Sequence, residues 1–260
     1  MRLCFAVACL AIVALVAVVT PMCALTPHPQ FSHRLASFTT TLEGRSSGQK
    51  RNLALAAALI HGQVIEPGQP WSFVGTLGPM TPERGFVKSN AYLDGETRPA
   101  YGGGCCQLAS TVYNAALLAN LEIVARSRHI WPVRSVPEGL DAAINDETLD
   151  LRLRNPHPFP VRLRVSASGG RVVVTFAGAK RFPERVTVQR RVLETVAAPE
   201  LVRTDDALPP GEFKRRRRGR RGVRVVVERT ITTPDGAQRR ETLSDDFYGP
   251  RNGIVAVGER

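Results

Sequence analysis

The sequence predicts an α+β domain followed by a small all-β module, and three observations carry that prediction. An apolar stretch at helical spacing, Leu108–Asn120, directly follows a glycine run. Alternating strand patterns lie around it, the clearest being Val161–Val165 and Arg171–Phe176. Beyond Pro183 the chain changes to valine-rich strands broken by Pro209-Pro210-Gly211 and Pro234-Asp235-Gly236. The chain has 260 residues, 43% of them hydrophobic, enough for one ordinary domain and an appendage. The expected architecture is a central helix with a cysteine at its N-terminus, packed on a mainly antiparallel sheet.

The elements follow in order. Arg2 precedes an apolar run, Leu3–Thr20, ended by Pro21, and no further charge occurs until Arg34. This is the pattern of an export signal. At ~1.5 Å per residue the run reaches ~27 Å, just short of a bilayer core. Residues 1–25 are therefore either a cleaved signal or a retained anchor through residues 3–20. Met22 stands where cleavage after Ala24 prefers a small residue, and its place before Cys23 argues against lipidation.

After a linker over Thr26–His33, Phe38–Leu42 reads as a strand and Arg51–His61 as a helix stopped by Gly62. Trp71-Ser72-Phe73 reads as extended, Leu77–Gly85 as a loop and Phe86–Leu93 as a strand. After the central helix, strands are expected at Glu122–Arg126, Ile130–Val136 and Leu149–Leu153. Gly169-Gly170 joins the next two strands into a hairpin. The first domain is thus set at residues 35–178 and the β-module at 183–260. Within the module, Val223–Thr232 and Gln238–Ser244 form a second hairpin.

The formal net charge is +12. Such a chain favours anionic partners: wall polymers, phospholipid headgroups or nucleic acid. The export signal argues against nucleic acid, so no nucleic acid is expected as a partner. Lys214–Arg221 is a dense cationic loop, either a contact for wall polymers and the outer leaflet or simply a solvated segment.

Only Cys105 and Cys106 remain outside the N-terminal segment. Adjacent cysteines make a strained bridge, so a thiol kept outside the cell invites a chemical explanation. Gly102-Gly103-Gly104 delivers Cys106 to the start of a helix. There, unpaired N–H groups and the dipole favour the thiolate and can hold an oxyanion. That is the geometry of papain-like and transglutaminase-like enzymes. His129, on the strand side of the same helix, is the candidate base, and Asp141 the group that orients it. A tight turn, a structural histidine and a turn aspartate are the plain alternatives. Cys-x-x-Cys spacing is absent, so no metal and no cofactor is expected. Gly103, Gly104, Gln107, Ser110 and Thr111 are candidates to line the groove, and Arg51 and Asn52 to bind an anionic group of the substrate. An ion pair for Arg51, and backbone-bonded hydroxyls for Ser110 and Thr111, are the competing readings. Trp71 and Phe73 either stack on a sugar or fill the core.

Gly102–Ala115, with Cys106-Gln107 and Ser110-Thr111-Val112-Tyr113-Asn114, resembles the central motif of the VanW-like family. The family cysteine maps onto Cys106, while Ala109 and Val112 replace its usual serine and leucine. Arg51-Asn52, Trp71-Ser72-Phe73, Arg126, His129, Asp141-Ala142 and Asp150–Asn155 extend the resemblance over roughly residues 35–178. The tail, Gly222–Gly258, looks like a glycine-containing β-module of wall-associated proteins. The resemblance implies a bacterial exported envelope protein, secreted or membrane-anchored, in a family named for an accessory protein of vancomycin-resistance clusters. Two functions are then expected. One is a cysteine hydrolase or transpeptidase acting on peptidoglycan peptides. The other is a non-catalytic module that binds peptidoglycan or glycopeptide.

Overall fold

The computed structural model describes residues 31–93, 96–145 and 148–259. The expected export segment, 1–25, lies outside the described residues. Among these, no helix is long and apolar enough to cross a membrane.

The chain is mostly β. Its first part holds β1 (His33–Thr41), α1 (Ser47–Ile60), β2 (Val64–Ile65), β3 (Pro70–Ser72), α2 (Phe73–Leu77), β4 (Lys88–Leu93), β5 (Glu96–Tyr101), α3 (Cys105–Leu118), β6 (Glu122–Ala125), β7 (Arg152–Arg154), β8 (Val161–Ser168) and β9 (Arg171–Gly178). An antiparallel four-stranded sheet runs β1-β9-β8-β2. The helix α3 packs on β1 and β9, and α1 packs on β8 and α3. Alternation in β8 and β9 turns Leu163, Val172, Val174 and Phe176 toward Leu53, Ile60, Leu108 and Val112 of the helices. Each such side chain contributes about 1.5–3 kcal/mol by burial. Trp71 and Phe73 are core residues, packed edge to face. The second small sheet is β3-β7-β6, and β4-β5 is a hairpin that leads into the glycine run.

The second part is all β: β10 (Arg185–Val196), β11 (Glu200–Thr204), β12 (Phe213–Arg217), β13 (Gly222–Thr232), β14 (Gln238–Tyr248) and β15 (Gly253–Val257). They form two three-stranded sheets, β10-β13-β14 and β11-β15-β12. The module's own core is small: Val223, Val225, Val227 and Tyr248. Leu140 packs against this cluster and against the main core, so the two are continuous.

Several elements differ from expectation. Ile130–Val136 is irregular, not a strand. Pro132 and the nearby Pro137 lack the N–H groups a ladder needs. The helix α1 begins at Ser47, before the expected Arg51, because Ser46 and Gln49 form a capping box. Ser72 caps α2, where only an extended segment and loop were expected. Of Leu149–Leu153 only the end pairs, since the Asp150 carboxylate accepts Ser72 Oγ at 2.7 Å and Val74 N at 2.9 Å at the start of α2. The cationic segment is not a loop throughout. Phe213–Arg217 pairs with β15, Arg215 and Arg216 bond Glu200 and Asp205, and Arg220 donates to the Pro132 carbonyl.

Candidate active site

The site begins with the glycines. Gly104, at φ 106°, is the N-cap of α3 and occupies backbone space that other residues avoid. Gly103 passes so close to β4 that a Cβ there would lie 2.5 Å from the Ser89 carbonyl oxygen. Asn52 and Ser89 both donate to the Gly103 carbonyl, at 3.1 and 3.0 Å. This holds the chain on course into the helix.

Cys106 therefore sits in the first turn of α3. The N–H groups beside it are committed, Cys105 to Gly102 and Gln107 to Gly104. A first-turn N–H such as that of Cys106 has no carbonyl within its own helix. The Cys106 thiol is half-buried and free of any disulfide, with Sγ 3.5 Å from the Ile144 carbonyl oxygen. Cys105 is buried in the main core.

One stripe of α3 fastens the segment that carries Asp141. Ser110 and Asn114 lie one and two turns beyond Cys106 on the same face. Ser110 Oγ donates to the Cys106 carbonyl at 2.8 Å and accepts Ala142 N–H at 2.9 Å. Asn114 Nδ2 donates to the Leu140 carbonyl at 2.7 Å. The segment bearing Asp141 is thus fastened to the helix that bears Cys106. Arg126–His129 runs antiparallel beside it, with a bridge between Ser127 and Ala143.

This brings three side chains together. His129, 8% exposed, and Asp141, 1% exposed, meet at 2.6 Å through Nδ1 and Oδ2. The other imidazole nitrogen remains for Cys106, which borders the same cavity. Burial pulls the His129 pKa down, but Asp141 and Cys106 outweigh it and raise the value to about 9. Burial likewise pushes the Cys106 thiol up, and the His129 hydrogen bond and charge bring it below its usual value. Asp141 is penalised by burial and nevertheless held below the usual carboxylate range by His129 and Arg126. The matched shifts favour a thiolate–imidazolium pair.

Cys106 and His129 open onto a cavity of about 750 Å³, also lined by Gly103, Gly104, Gln107, Tyr101, Arg45 and Arg134. None of the described lining residues is acidic. Gln107 Nε2 is committed to Thr40 Oγ1 and the Thr41 carbonyl, while its buried Oε1 has no hydrogen-bond partner.

Other candidates serve elsewhere. Thr111 is fully buried and bonds Thr40 and the Gln107 carbonyl, so it cannot touch a ligand in the cavity. Ser110 is a fastener of backbone and not a wall of the cavity. Asn52 clamps the Val87 backbone and Gly103, so its amide is unavailable to substrate. Arg51 is exposed on α1 and does not border the cavity. Among the described residues no group of His, Cys, Asp or Glu is placed to hold a metal. The residues that spacing did not reveal are Tyr248 and Asp246, which reach the site from β14. Tyr248 Oη donates to Asp141 Oδ1 and accepts Gly139 N–H at 2.8 Å, and Asp246 pairs with Arg126 at 2.6 Å. No local motif marks them.

Comparison with known proteins agrees with the resemblance. The family described as VanW like protein matches residues 48–177, and the G5 domain matches residues 187–260. YoaR, an uncharacterized protein of Bacillus subtilis (strain 168), is 31% identical over 144 residues, covering 55% of this chain and 48% of that protein. The vancomycin B-type resistance protein VanW of Enterococcus faecalis (strain ATCC 700802 / V583) is 31% identical over 111 residues, 40% of each chain. The chain thus spans about half or less of the length of these curated relatives. The solved G5 domain of IgA1 protease is 18% identical and covers 30% of this chain and 93% of its own, at a TM-score of 0.23. The HP0197 G5 domain is 24% identical, with 28% and 99% coverage and a TM-score of 0.18. Those two scores are too low to carry a structural argument, and the matches to residues 48–177 and 187–260 stand without them. On these matches the chain belongs to the VanW-like family, with a G5 domain following its VanW-like region.

Proposed function

We propose that this is an extracytoplasmic cell-envelope protein in which Cys106 is the nucleophile of an acyl-transfer or amidase reaction on peptidoglycan peptides. One observation carries the reading: a first-turn helix cysteine that shares a cavity with a buried histidine, which a carboxylate orients at 2.6 Å. The site geometry is analogous to that of papain-like and transglutaminase-like enzymes, and the analogy concerns the site and not the fold.

The reaction follows from the residues. The Cys106 thiolate attacks an amide carbonyl carbon, and an S–C bond forms. The Cys106 backbone N–H, at the first turn of α3, is the donor that would stabilise the developing oxyanion. As the C–N bond breaks, the imidazolium of His129 gives its proton to the leaving amine. Water, or a second amine, then attacks the thioester. His129 takes the incoming proton, and the thiolate departs. Asp141 holds Nδ1 so that the other ring nitrogen serves throughout.

The cavity suits a substrate with a carboxylate, since the Arg134 guanidinium lines it close to Cys106 and His129. Gly103, Gly104 and Gln107 line the part of the cavity where a peptide backbone would lie. VanW is named for vancomycin resistance, the chain carries an export-like N-terminus over residues 1–25, and its charge of +12 suits an anionic wall polymer. The domains then read as an export segment or anchor at 1–25, a VanW-like domain at 35–178 and a β-module at 183–260, with the basic strand β12 turned to the polymer. No cofactor enters this reaction.

A second reading is a non-catalytic module that holds wall peptide or glycan in the same cavity. The contact of Cys106 Sγ with the Ile144 carbonyl favours it, because a carbonyl prefers a protonated thiol. Digestion of purified muropeptides by wild type and Cys106→Ala, read by mass spectrometry, decides between them. New products from wild type alone support the enzyme. Retention of muropeptides by both proteins without products supports the binding module.

A further inference from the structure

We infer that the C-terminal module completes the site: Tyr248 and Asp246 of β14 are positioning residues that fix Asp141, and through it His129. The inference rests on the Cys106–His129 reading above.

The two oxygens of the Asp141 carboxylate have separate duties. Oδ2 accepts His129 N–H at 2.7 Å and meets His129 Nδ1 at 2.6 Å. Oδ1 accepts Arg126 Nη2 at 3.1 Å and the Tyr248 hydroxyl. One edge of the carboxylate faces the histidine, and the other is held by a tyrosine from a different sheet. Rotating the carboxylate away from His129 means breaking the Tyr248 bond inside a dry interior. An unmade buried hydrogen bond costs about 1–3 kcal/mol.

Arg126 is held in the same way. Its Nε donates to the Asp141 carbonyl at 2.6 Å, and its Nη1 pairs with Asp246 at 2.6 Å. The guanidinium also lies 5.4 Å from the Tyr113 ring centre. The charged and titratable groups facing Asp141 therefore include Arg126, His129, Tyr248, Tyr113 and Cys106, and those facing Cys106 include His129 and Asp141. Asp246 gives Arg126 a second anion. Without it, the guanidinium would draw on Asp141 alone and compete with His129 for that carboxylate.

The module grips the site at two further points. Arg229 of β13 donates to the Leu117 and Leu121 carbonyls, at 3.2 and 2.8 Å, at the C-terminal end of α3. Arg190 of β10 bonds Glu138, just before the Asp141 segment. Gly139 is packed so tightly on β13 that a Cβ would lie 2.7 Å from Val227 Cγ2. The helix of the nucleophile and the loop of the acid are both seated on the module.

The test uses the full chain and the pH dependence of Cys106 carbamidomethylation, with circular dichroism as the check on folding. Tyr248→Phe keeps the ring and removes the hydroxyl. Asp246→Asn keeps the shape, removes the charge and remains informative where Tyr248→Phe does not fold. Asp245→Asn, on the exposed neighbour in β14, is the control. Each site variant is expected to move the alkylation midpoint up by about one pH unit, and so to slow alkylation about tenfold at neutral pH. The control should overlay wild type. Folded site variants that overlay wild type, that shift downward, or that are matched by Asp245→Asn overturn the inference and leave the dyad standing. A wild-type midpoint no lower than that of a model thiol, about 8.5, overturns the dyad and the inference together.

Discussion

One oxygen of Asp141 receives both the backbone N–H and the ring Nδ1 of His129, at 2.7 and 2.6 Å. The acid therefore fixes where the histidine is and also which ring nitrogen faces the cavity. The consequences can be measured separately.

Removing the base should abolish the bias of the thiol. In His129→Ala the burial penalty on Cys106 remains and the lowering contact is gone. The alkylation midpoint is expected to rise above about 8.5, the model thiol value. A midpoint unchanged from wild type would show that the helix start alone tunes Cys106.

Removing the acid should cost stability as well as reactivity. Asp141→Ala leaves the buried guanidinium of Arg126 with Asp246 as its remaining anionic partner. A loss of about 3 kcal/mol in urea unfolding is expected, as for other broken buried pairs. Turnover, where found, should fall at least about a hundredfold. Cys106→Ser should abolish turnover and leave the unfolding midpoint close to wild type.

The stability profile with pH carries a sign for each group. The folded pKa of His129 is raised to about 9, so its contribution is full below about 6.5 and fades as pH rises through about 9. Cys106 is lowered and acts in the opposite sense, gaining as pH rises toward the ordinary thiol range. Asp141, also lowered, contributes above about pH 3.9 and loses that contribution as pH falls through its folded value. Urea titrations across about pH 3 to 7 should show an acid limb that Asp141→Asn flattens.

Ser110 and Arg51 make a contrasting pair. Ser110→Ala strands the buried Ala142 N–H and should cost about 1–3 kcal/mol, with slower Cys106 alkylation. Arg51→Ala, on an exposed position of α1, should change stability by less than about 0.5 kcal/mol and leave alkylation alone. A large effect of Arg51→Ala on substrate affinity would restore it to the site.

The glycine run is predicted to be intolerant for two different reasons. Gly104→Ala strains a backbone at φ 106°, at a cost of about 1–3 kcal/mol. Gly103→Ala drives a methyl into the Ser89 carbonyl, 2.5 Å away, and must displace β4. Thermal melts report both. Only Gly103→Ala is expected to release the Asn52 amide from its carbonyl as well.

Much of this was readable in the residues, and the remainder was hidden for physical reasons. Helical spacing after three glycines announced α3 and placed Cys106 at its start, because a helix face and a tight backbone path leave local marks. The hairpin at Gly169-Gly170 was equally local. His129 was expected between two strands and stands in a loop past β6, because the second of them, Ile130–Val136, lies among prolines that spoil pairing. Ser110, Thr111 and Asn52 carry groups suited to a ligand, but each bonds protein groups instead. A sequence shows a polar group without showing its partner. Tyr248 was beyond reach, since its partner Asp141 lies 107 residues away.

That separation has a consequence for how the protein comes into being. A growing chain presents Cys106, His129 and Asp141 well before Tyr248 exists. Contacts so far apart in sequence are also slow to close once both ends are available. While it is being made, the chain carries Cys106 and His129 without the tyrosine that steadies Asp141. On the reading proposed above, the thiol gains its full reactivity only when the last sheet has docked, so that the order of synthesis sets the order of maturation.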